Sequence, residues 1–283
     1  MSKATVPVGW TSRVVNKTQK FYVADNLDTG GSSSGSTLGA TWTGLTHGTA
    51  GVAVIATFLP TGVNASAPRL VQASYTDSAI LQRGGSSAWN SQPYPVNPKA
   101  GNRLVAFMNG SIYHPAIDCG SVLSVTDTAG NTWVKAGESG PDNGTGINIS
   151  CWTCDSARGG PTVLTPHFSN ASQQLCCLLL EFANMPPPVI VESVASRSGG
   201  GDLPYVTTAG SVPAGCMAMA YRACIYAEEL KGPGPGGWKQ LISDSTGANC
   251  QILHSTPAGI FSTSWSGTVS LGLDILLVVF GPG

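Results

Sequence analysis

The sequence predicts an all-β protein whose main part is a jelly-roll-like antiparallel β-sandwich, with a smaller N-terminal β-domain and an extended N-terminal arm. Glycine and proline account for 36 and 19 of the 283 residues, and neither is well tolerated inside helices. Apolar runs rich in β-branched residues recur between turn-forming residues, whereas helical periodicity is scarce. Such a chain is typical of many short strands joined by tight turns.

Each predicted strand is a short apolar or alternating run with turn-forming residues nearby. The runs are residues 51–58, 69–75, 79–84, 102–110, 122–127, 132–137, 147–154, 162–169, 174–182, 189–196, 216–223, 238–243, 249–255, 259–267 and 273–280. A further short strand is expected at residues 20–24, and residues 226–232 have the pattern of a single helical turn.

Composition divides the chain into three predicted parts. Residues 1–39 end in DTGGSSSGSTLG, a composition typical of a flexible linker, so we expect an N-terminal arm that gains order by docking. The prolines of residues 90–101 favour extended backbone and disfavour a helix. We therefore expect a small β-domain over residues 40–92 and the β-sandwich over residues 93–283.

The low charge of the chain argues against several classes of protein. Charged residues make up only 10%, against about 25% in a typical globular chain, and the net charge is −1. Nucleic-acid binding needs a basic surface, so no nucleic-acid partner is expected. No run reaches the roughly 18 apolar residues of a membrane span, and residues 1–9 lack a signal-peptide core, so we expect neither membrane insertion nor a secretory leader.

Eight cysteines raise the question of a disulfide framework. In a long chain made in a cytosol we expect reduced thiols that pack as small apolar residues, although the sequence leaves their redox state open. The CxxC pair Cys151 and Cys154 lies in a predicted strand, where residues three apart point to opposite faces roughly 10 Å apart. That separation is too long for a disulfide, and no second CxxC completes a zinc site.

A weak internal repeat runs through the chain. Three segments begin with Ala-Gly and an apolar strand, and continue with a second strand, an Asp-Ser or Asp-Thr pair and a return strand. The shared pairs are Asp77-Ser78, Asp127-Thr128 and Asp244-Ser245. The repeat predicts stacked hairpins of related sheets, with common hairpin sequence patterns as the alternative explanation.

The stretch SVTDTAGNTW, residues 124–133, is predicted to be a hairpin turn. Asp127 can accept hydrogen bonds from the backbone that follows it, and Gly130 can adopt a positive φ. Asp244 and Gly247 take the same roles in the third copy. Calcium binding is the alternative, but a calcium loop needs several carboxylates and this stretch has one, so no metal is expected.

No catalytic site and no cofactor are expected. His114 and Asp118 could meet within a loop, but no G-x-S-x-G elbow accompanies them. A carboxylate pair for glycoside hydrolysis could come from Glu181, Glu192, Glu228 and Glu229. Glu181 lies in an apolar strand, where an outward-facing or hydrogen-bonded edge position is the simpler interpretation.

Aromatic residues offer a candidate glycan-binding edge. Trp89, Tyr113 and Trp238 fall in predicted loops or at strand ends, where exposed ring faces could stack on sugars. The alternative is that these aromatic side chains close the ends of the sandwich core. Their common exposure on one edge would distinguish the two interpretations.

The run AGNRLVAFMNG, VLSVTDTAGNTWVKAG, INISCWTCDSARGGPTVLTPHFS and QQLCCLLLEFAN resembles a β-sandwich module of tailed-phage virion proteins. Later segments, including PAGCMAMAYRAC and LDILLVVF, resemble the closing half of that module. The resemblance covers about residues 95–280, and similar chains are minor tail proteins of phages that infect actinobacteria. The cysteine-rich strands depart from the usual tyrosine, alanine or valine of that pattern.

This resemblance implies a non-enzymatic structural component of a virion, in the tail rather than the head. Its expected partners are other virion proteins and further copies of the same chain in a homo-oligomer. One alternative is a carbohydrate-binding adhesin module that contacts a glycan of the host cell envelope. Another alternative is a capsid decoration protein, because the sequence does not separate head from tail.

Overall fold

The computed structural model describes residues 11–16, 21–25, 68–77, 86–88, 90–111, 120–139, 147–172, 174–198, 205–227, 237–243, 249–265 and 269–282. The chain divides into two compact units, Met1–Val63 and Asn64–Gly283. All regular secondary structure in the described residues is β-strand, and the sheets are antiparallel, which confirms the predicted all-β sandwich class. The jelly-roll detail and the extended N-terminal arm stay predictions.

The strands are short and follow the predicted runs closely. In chain order they are β1 (Thr11–Asn16), β2 (Phe21–Asp25), β3 (Arg69–Asp77), β4 (Ser86–Ala88), β5 (Arg103–Ser111), β6 (Val122–Asp127), β7 (Val134–Glu138), β8 (Ile147–Cys154), β9 (Leu164–Ser172), β10 (Gln174–Ala183), β11 (Pro188–Ser198), β12 (Tyr205–Thr207), β13 (Cys216–Ala227), β14 (Lys239–Ser243), β15 (Asn249–Leu253), β16 (Ser262–Ser264) and β17 (Val269–Pro282). No helix of the described residues has the length and hydropathy needed to cross a bilayer.

In the first unit, β1 and β2 form an antiparallel pair. The second unit contains two five-stranded sheets. Inner sheet 1 has the order β3-β10-β5-β8-β7, and inner sheet 2 has the order β11-β17-β13-β15-β14. Two smaller sheets accompany them: outer sheet 1 has the order β4-β9-β6, and outer sheet 2 consists of β12 and β16.

The sheets stack in four layers, with the two inner sheets face to face in the middle. The central core between them includes Phe107 and Leu178 from inner sheet 1 and Met219 from inner sheet 2. Outer core 1 lies between inner sheet 1 and outer sheet 1, and outer core 2 lies between inner sheet 2 and outer sheet 2. The sequence predicted a single sandwich over residues 93–283, whereas the chain forms one central and two outer packing interfaces.

Burial on both faces explains the continuous apolar strands. Successive side chains of a strand point to opposite faces, so a sheet covered on one side needs apolar residues only at alternate positions. The inner sheets are covered on both sides and need them at nearly every position. Residues 175–180 of β10 and residues 275–280 of β17 are accordingly apolar and fully buried almost without exception.

The strand orders of the two inner sheets are equivalent, which divides the second unit into module 1 (residues 69–183) and module 2 (residues 188–282). A glycine with positive φ precedes the third strand of each order: Gly101 at +87° before β5, and Gly215 at +81° before β13. Gly101 N donates to Ala157 O at 2.9 Å, and Gly215 N donates to Thr256 O at 3.0 Å. The two modules therefore share a topology and a local geometry, which differs from the three-copy repeat that the sequence predicts.

The edge strands repeat as well, including their irregularities. β7 carries a bulge between Lys135 and Gly137, and β14 carries one between Gln240 and Ile242. On the opposite edges, β3 bulges at Val71 and β11 at Val189, and both valines are exposed. Bulges interrupt the regular row of backbone donors and acceptors, so these edges are poor templates for pairing with another chain.

Two sequence expectations need correction. The sequence predicts a small β-domain over residues 40–92, but residues 69–77 of that range pair with β10 as an edge strand of inner sheet 1. The repeat aligned residues 122–127 with residues 238–243, whereas the strand orders match β14 with β7. The first predicted copy lies largely outside the described residues. Local sequence patterns mark strands, but they do not state which distant strand each one pairs with.

The contacts between the two modules include an aromatic pair within the central core and a close approach of two edge strands. The rings of Phe107 and Tyr221 occupy equivalent positions and stack with their centroids 5.5 Å apart, and the Tyr221 hydroxyl donates to Asn109 Oδ1 at 2.8 Å. At one edge, Gly137 of β7 faces Val191 of β11. A Cβ atom added to Gly137 would lie 2.3 Å from Val191 Cγ1.

We expect Gly137→Ala to lower the free energy of unfolding by about 1–3 kcal/mol, because a β-branched valine cannot rotate away from the new methyl group. Gly210→Ala is the matched control, since no heavy atom lies within 4 Å of a Cβ at that exposed position. Urea unfolding of both variants measures the difference. Equal stability of the two variants would contradict the close contact between β7 and β11.

Candidate functional site

The predicted turn at residues 124–133 connects two layers and is not a hairpin. Its flanking strands lie in different sheets, because β6 pairs with β9 in outer sheet 1 and β7 pairs with β8 in inner sheet 1. The Asp127 carboxylate accepts hydrogen bonds from Asn131 N at 2.9 Å, Asn131 Nδ2 at 2.7 Å and Trp133 Nε1 at 2.8 Å. Gly130 has a φ of +70°.

These hydrogen bonds give the Asp127 side chain a structural role in the turn. Its three donors come from the loop itself, and Asn131 Oδ1 in turn accepts from Arg158 N at 2.7 Å. In the described part of the chain, no group of three or more His, Cys, Asp or Glu side chains could hold a metal ion. Asp244 and Gly247, the predicted turn residues of the third copy, lie outside the described residues.

The predicted glycan-stacking residues do not form a common exposed edge in the described residues. Trp238 is only 4% exposed and packs in outer core 2, with its ring centroid 6.2 Å from that of Phe261. Its position matches that of Trp133, which is buried in outer core 1. Trp238 therefore closes a core and offers no ring face to a sugar, while Trp89 and Tyr113 lie outside the described residues.

Most other aromatic side chains whose burial is described are buried, whereas Tyr75 is partly buried and Tyr205 is exposed. Tyr94 donates its hydroxyl hydrogen to Leu180 O at 3.1 Å, and burial is the main cause that raises its pKa well above the usual value. Tyr205 on β12 is 61% exposed, the one exposed large aromatic side chain among the described residues. It pairs across the strands with Ser264, and Ser262 is exposed on the same short sheet.

The catalytic candidates that can be placed have structural partners. Glu192 Oε1 accepts from Ala209 N at 3.0 Å, and Glu181 Oε1 accepts from Lys99 N and Asn102 Nδ2. The remaining candidates, His114, Asp118, Glu228 and Glu229, lie outside the described residues. The structure thus brings none of the placed candidates together into a pair.

The side chains of six cysteines are described, and all six are buried thiols that form no disulfide. Cys151 faces the central core and Cys154 faces outer core 1, as expected for residues three apart in a strand. Burial is the main cause that raises the thiol pKa values of Cys151, Cys154, Cys177 and Cys250. These thiols are packing residues with little thiolate at neutral pH.

We expect Cys151, Cys177 and Cys250 to resist alkylation in the native protein at mildly alkaline pH, because the reactive thiolate is disfavoured and enclosed. The same residues should react readily after unfolding in guanidinium chloride, which serves as the internal control. Peptide mass spectrometry after iodoacetamide treatment gives the modified fraction at each cysteine. Equal alkylation of Cys151 before and after unfolding would contradict its burial.

Module 1 contains a buried polar network around Glu181 on β10. Oε1 of this carboxylate accepts from Lys99 N at 2.8 Å and Asn102 Nδ2 at 2.6 Å, and Oε2 accepts from Gln72 Nε2. Gln72 Oε1 accepts from Val96 N at 2.9 Å. Glu181 therefore holds the proline-rich loop against inner sheet 1, and its role is structural.

Module 2 has apolar residues where module 1 has this network. Strand register matches Glu181 with Val279 and Gln72 with Ile190. The loop that Glu181 holds is also longer, with residues 92–100 preceding Gly101, where module 2 has only residues 209–214 before Gly215. The extra loop residues supply the donors that a buried carboxylate requires.

We expect Glu181→Ala to lower the free energy of unfolding by about 3 kcal/mol, because several loop and side-chain donors lose their acceptor. Glu138→Ala removes a half-buried carboxylate on the edge strand β7 that pairs with Lys135, and should cost less than about 1 kcal/mol. Chemical denaturation compares the two. A similar small cost for both would contradict the fastening role of Glu181.

A second buried polar network lies in module 2, between inner sheet 2 and outer sheet 2. Its members are the buried polar or amphipathic side chains Arg222, Asn249, Gln251, Thr263 and Trp265. Thr263 Oγ1 donates to Gln251 Oε1 at 2.9 Å, and Trp265 Nε1 donates to Asn249 Oδ1 at 2.8 Å. The Arg222 guanidinium lies 5.8 Å from the centroid of the Trp265 ring.

Sequence reasoning missed this network, although a signal for it exists. Arg222 interrupts the apolar run CMAMAYRACIY, and a charged residue in the middle of a strand with buried faces needs partners. The partners are separated from it by up to 43 residues of sequence, so local patterns could not assemble the set.

A scan against protein-family models finds no match, and no curated protein or solved structure matches the chain.

Proposed function

We propose that the chain is a non-enzymatic structural component of a phage virion, with a minor tail protein as the best-supported assignment. The support comes from the resemblance of residues 95–280 to virion β-sandwich modules. The residues of that pattern do architectural work in this chain: Asp127, Gly130 and Trp133 form the turn that links outer sheet 1 to inner sheet 1. This structural role of the pattern supports a scaffold function.

The layered architecture supports the same proposal. Assembly proteins act through their surfaces and need a rigid body that positions those surfaces. Two inner sheets buried on both faces supply such a body, and the chain carries few charges that would have to be paired at an interface. We expect the function to lie in contacts with other virion proteins and with copies of the same chain in a homo-oligomer.

Immunogold electron microscopy of purified particles of the phage that encodes the chain tests this assignment. Labelling of the tail is the expected result. Labelling of the head instead would replace the tail assignment with capsid decoration. Absence of the chain from purified particles, measured by mass spectrometry, would contradict any structural role in the virion.

An adhesin module for a host-envelope glycan is the second candidate, and Tyr205 favours it. The tyrosine is exposed beside serine hydroxyls of β16, a combination that suits a sugar ring, since the ring face can stack and the hydroxyls can hydrogen-bond. The equivalent residue of module 1 is Ala88, so the fold itself does not require an aromatic side chain there.

If the adhesin assignment holds, the purified protein should sediment with actinobacterial cell walls in a saturable manner and release no soluble sugar. Tyr205→Ala should then weaken binding about tenfold, which corresponds to ~1.4 kcal/mol. Val134→Ala is the control, because Val134 is comparably exposed on the edge strand β7 of module 1. Unchanged binding of Tyr205→Ala would remove β12 from consideration, and sugar release would contradict the non-enzymatic proposal.

A further inference from the structure

We propose that the polar network of module 2 is a binding site for a small carboxylate, held between Arg222 and Asn249 beneath outer sheet 2. This inference is independent of the virion assignment. It depends on a comparison of the two modules. Module 1 has the same fold without such a site, and its residues at the equivalent positions serve as the reference.

The matching positions are defined by strand register. Met108 lies between Cys177 and Ser150 in inner sheet 1, and Arg222 lies between Ile275 and Asn249 in inner sheet 2. Four equivalent positions carry different residues in the two modules. With the module 1 residue given first, they are Met108 and Arg222, Ser150 and Asn249, Trp152 and Gln251, and Pro166 and Thr263.

Module 1 fills this place with largely apolar packing. Met108 and Trp152 belong to outer core 1, and the Trp152 Nε1 donates to Ser150 Oγ at 3.2 Å. The fold therefore packs well without a charge at this level of the sheet. Burying an arginine costs desolvation free energy that an apolar side chain does not, so its presence in module 2 calls for a reason other than packing.

Asn249 supplies the second and independent observation. Its side chain is fully buried, and its Oδ1 accepts from the Trp265 indole, which fixes the orientation of the amide. The Nδ2 group consequently points elsewhere, and it has no hydrogen-bond partner in the structure. A buried donor without an acceptor is rare in folded proteins and calls for an explanation, which a bound acceptor would supply.

The contrast with Glu181 strengthens this interpretation. Each oxygen of that buried carboxylate has a donor within hydrogen-bond distance, so the polar network of module 1 is complete. The network of module 2 instead leaves a donor unused near a guanidinium. Arg222 has further interactions within the chain and still brings a positive charge to the same face of the sheet as Asn249.

The chemistry of these two groups selects the ligand. An amide N–H and a guanidinium both donate, and a carboxylate accepts from two donors with its two oxygens. The complete burial of Asn249 favours a compact molecule over the surface of a macromolecule. Outer sheet 2, which covers the site, is small, since only three residue pairs join β12 to β16. In outer sheet 1 of module 1, the nine-residue β9 pairs with two strands.

Titration with sodium acetate, formate and glucuronate near neutral pH tests the proposal, with sodium chloride at equal ionic strength as the reference. We expect a saturable rise in Tm with a carboxylate, because a ligand that binds only the folded state stabilises it by mass action. A saturable change in tryptophan fluorescence should accompany it, and Trp265→Phe should lose that change. Tighter binding of glucuronate would assign an acidic sugar, and tighter binding of acetate or formate a free small acid.

Each variant replaces a residue of the site with the residue that module 1 has at the equivalent position. Asn249→Ser is expected to weaken carboxylate binding about tenfold, and Arg222→Met to abolish it, because each removes one donor group. Glu138→Ala, far from the site in sequence and on the edge of module 1, should bind as the wild type does. Asn249→Ser retains a small hydroxyl and tests the site even if Arg222→Met fails to fold.

Three outcomes would overturn the proposal. The first is the absence of a saturable carboxylate effect on both Tm and fluorescence. The second is an equal effect of chloride, which would make the response one of ionic strength or of any anion. The third is wild-type affinity in Asn249→Ser, which would place the bound carboxylate elsewhere on the molecule.

Discussion

The rest of the structure depends on the burial of both faces of the two inner sheets. A sheet that is covered on one side only can solubilise its other face with polar residues, and its strands then alternate. The inner sheets have no such face, so β10 and β17 are apolar along most of their length. Outer sheets 1 and 2 are needed as covers for the same reason. The buried strands of the inner sheets accordingly contribute few charged residues.

The duplication of topology allows each module to serve as a reference for the other. Features that occur in both, such as Gly101 and Gly215 with their equivalent hydrogen bonds, belong to the requirements of the fold. Features that occur in one module need a separate cause. For Glu181 that cause is the longer loop of module 1, which donates a hydrogen bond to the buried carboxylate. In module 2 the buried Asn249 Nδ2 lacks an acceptor, and this difference separates a scaffold network from a candidate site.

Bulges on the edge strands bear on the way in which the chain associates with others. A flat edge would invite pairing by backbone hydrogen bonds, whereas Val71 and Val189 each interrupt an edge at an equivalent position. Association through side chains on the faces of the outer sheets is therefore more consistent with this architecture than extension of the inner sheets.

The sequence by itself determined the all-β class, most strand positions and the opposite orientations of Cys151 and Cys154, because these depend on local composition and on the two-residue period of a strand. It also marked Glu181 and Asp127 as residues with structural explanations. Only the tertiary structure decided that residues 69–77 join inner sheet 1, that Trp238 is buried and that Arg222 meets Trp265. These outcomes depend on pairings between distant segments, such as Gln72 with Glu181 across 109 residues, and no local pattern specifies the partner of a strand or the layer that covers it.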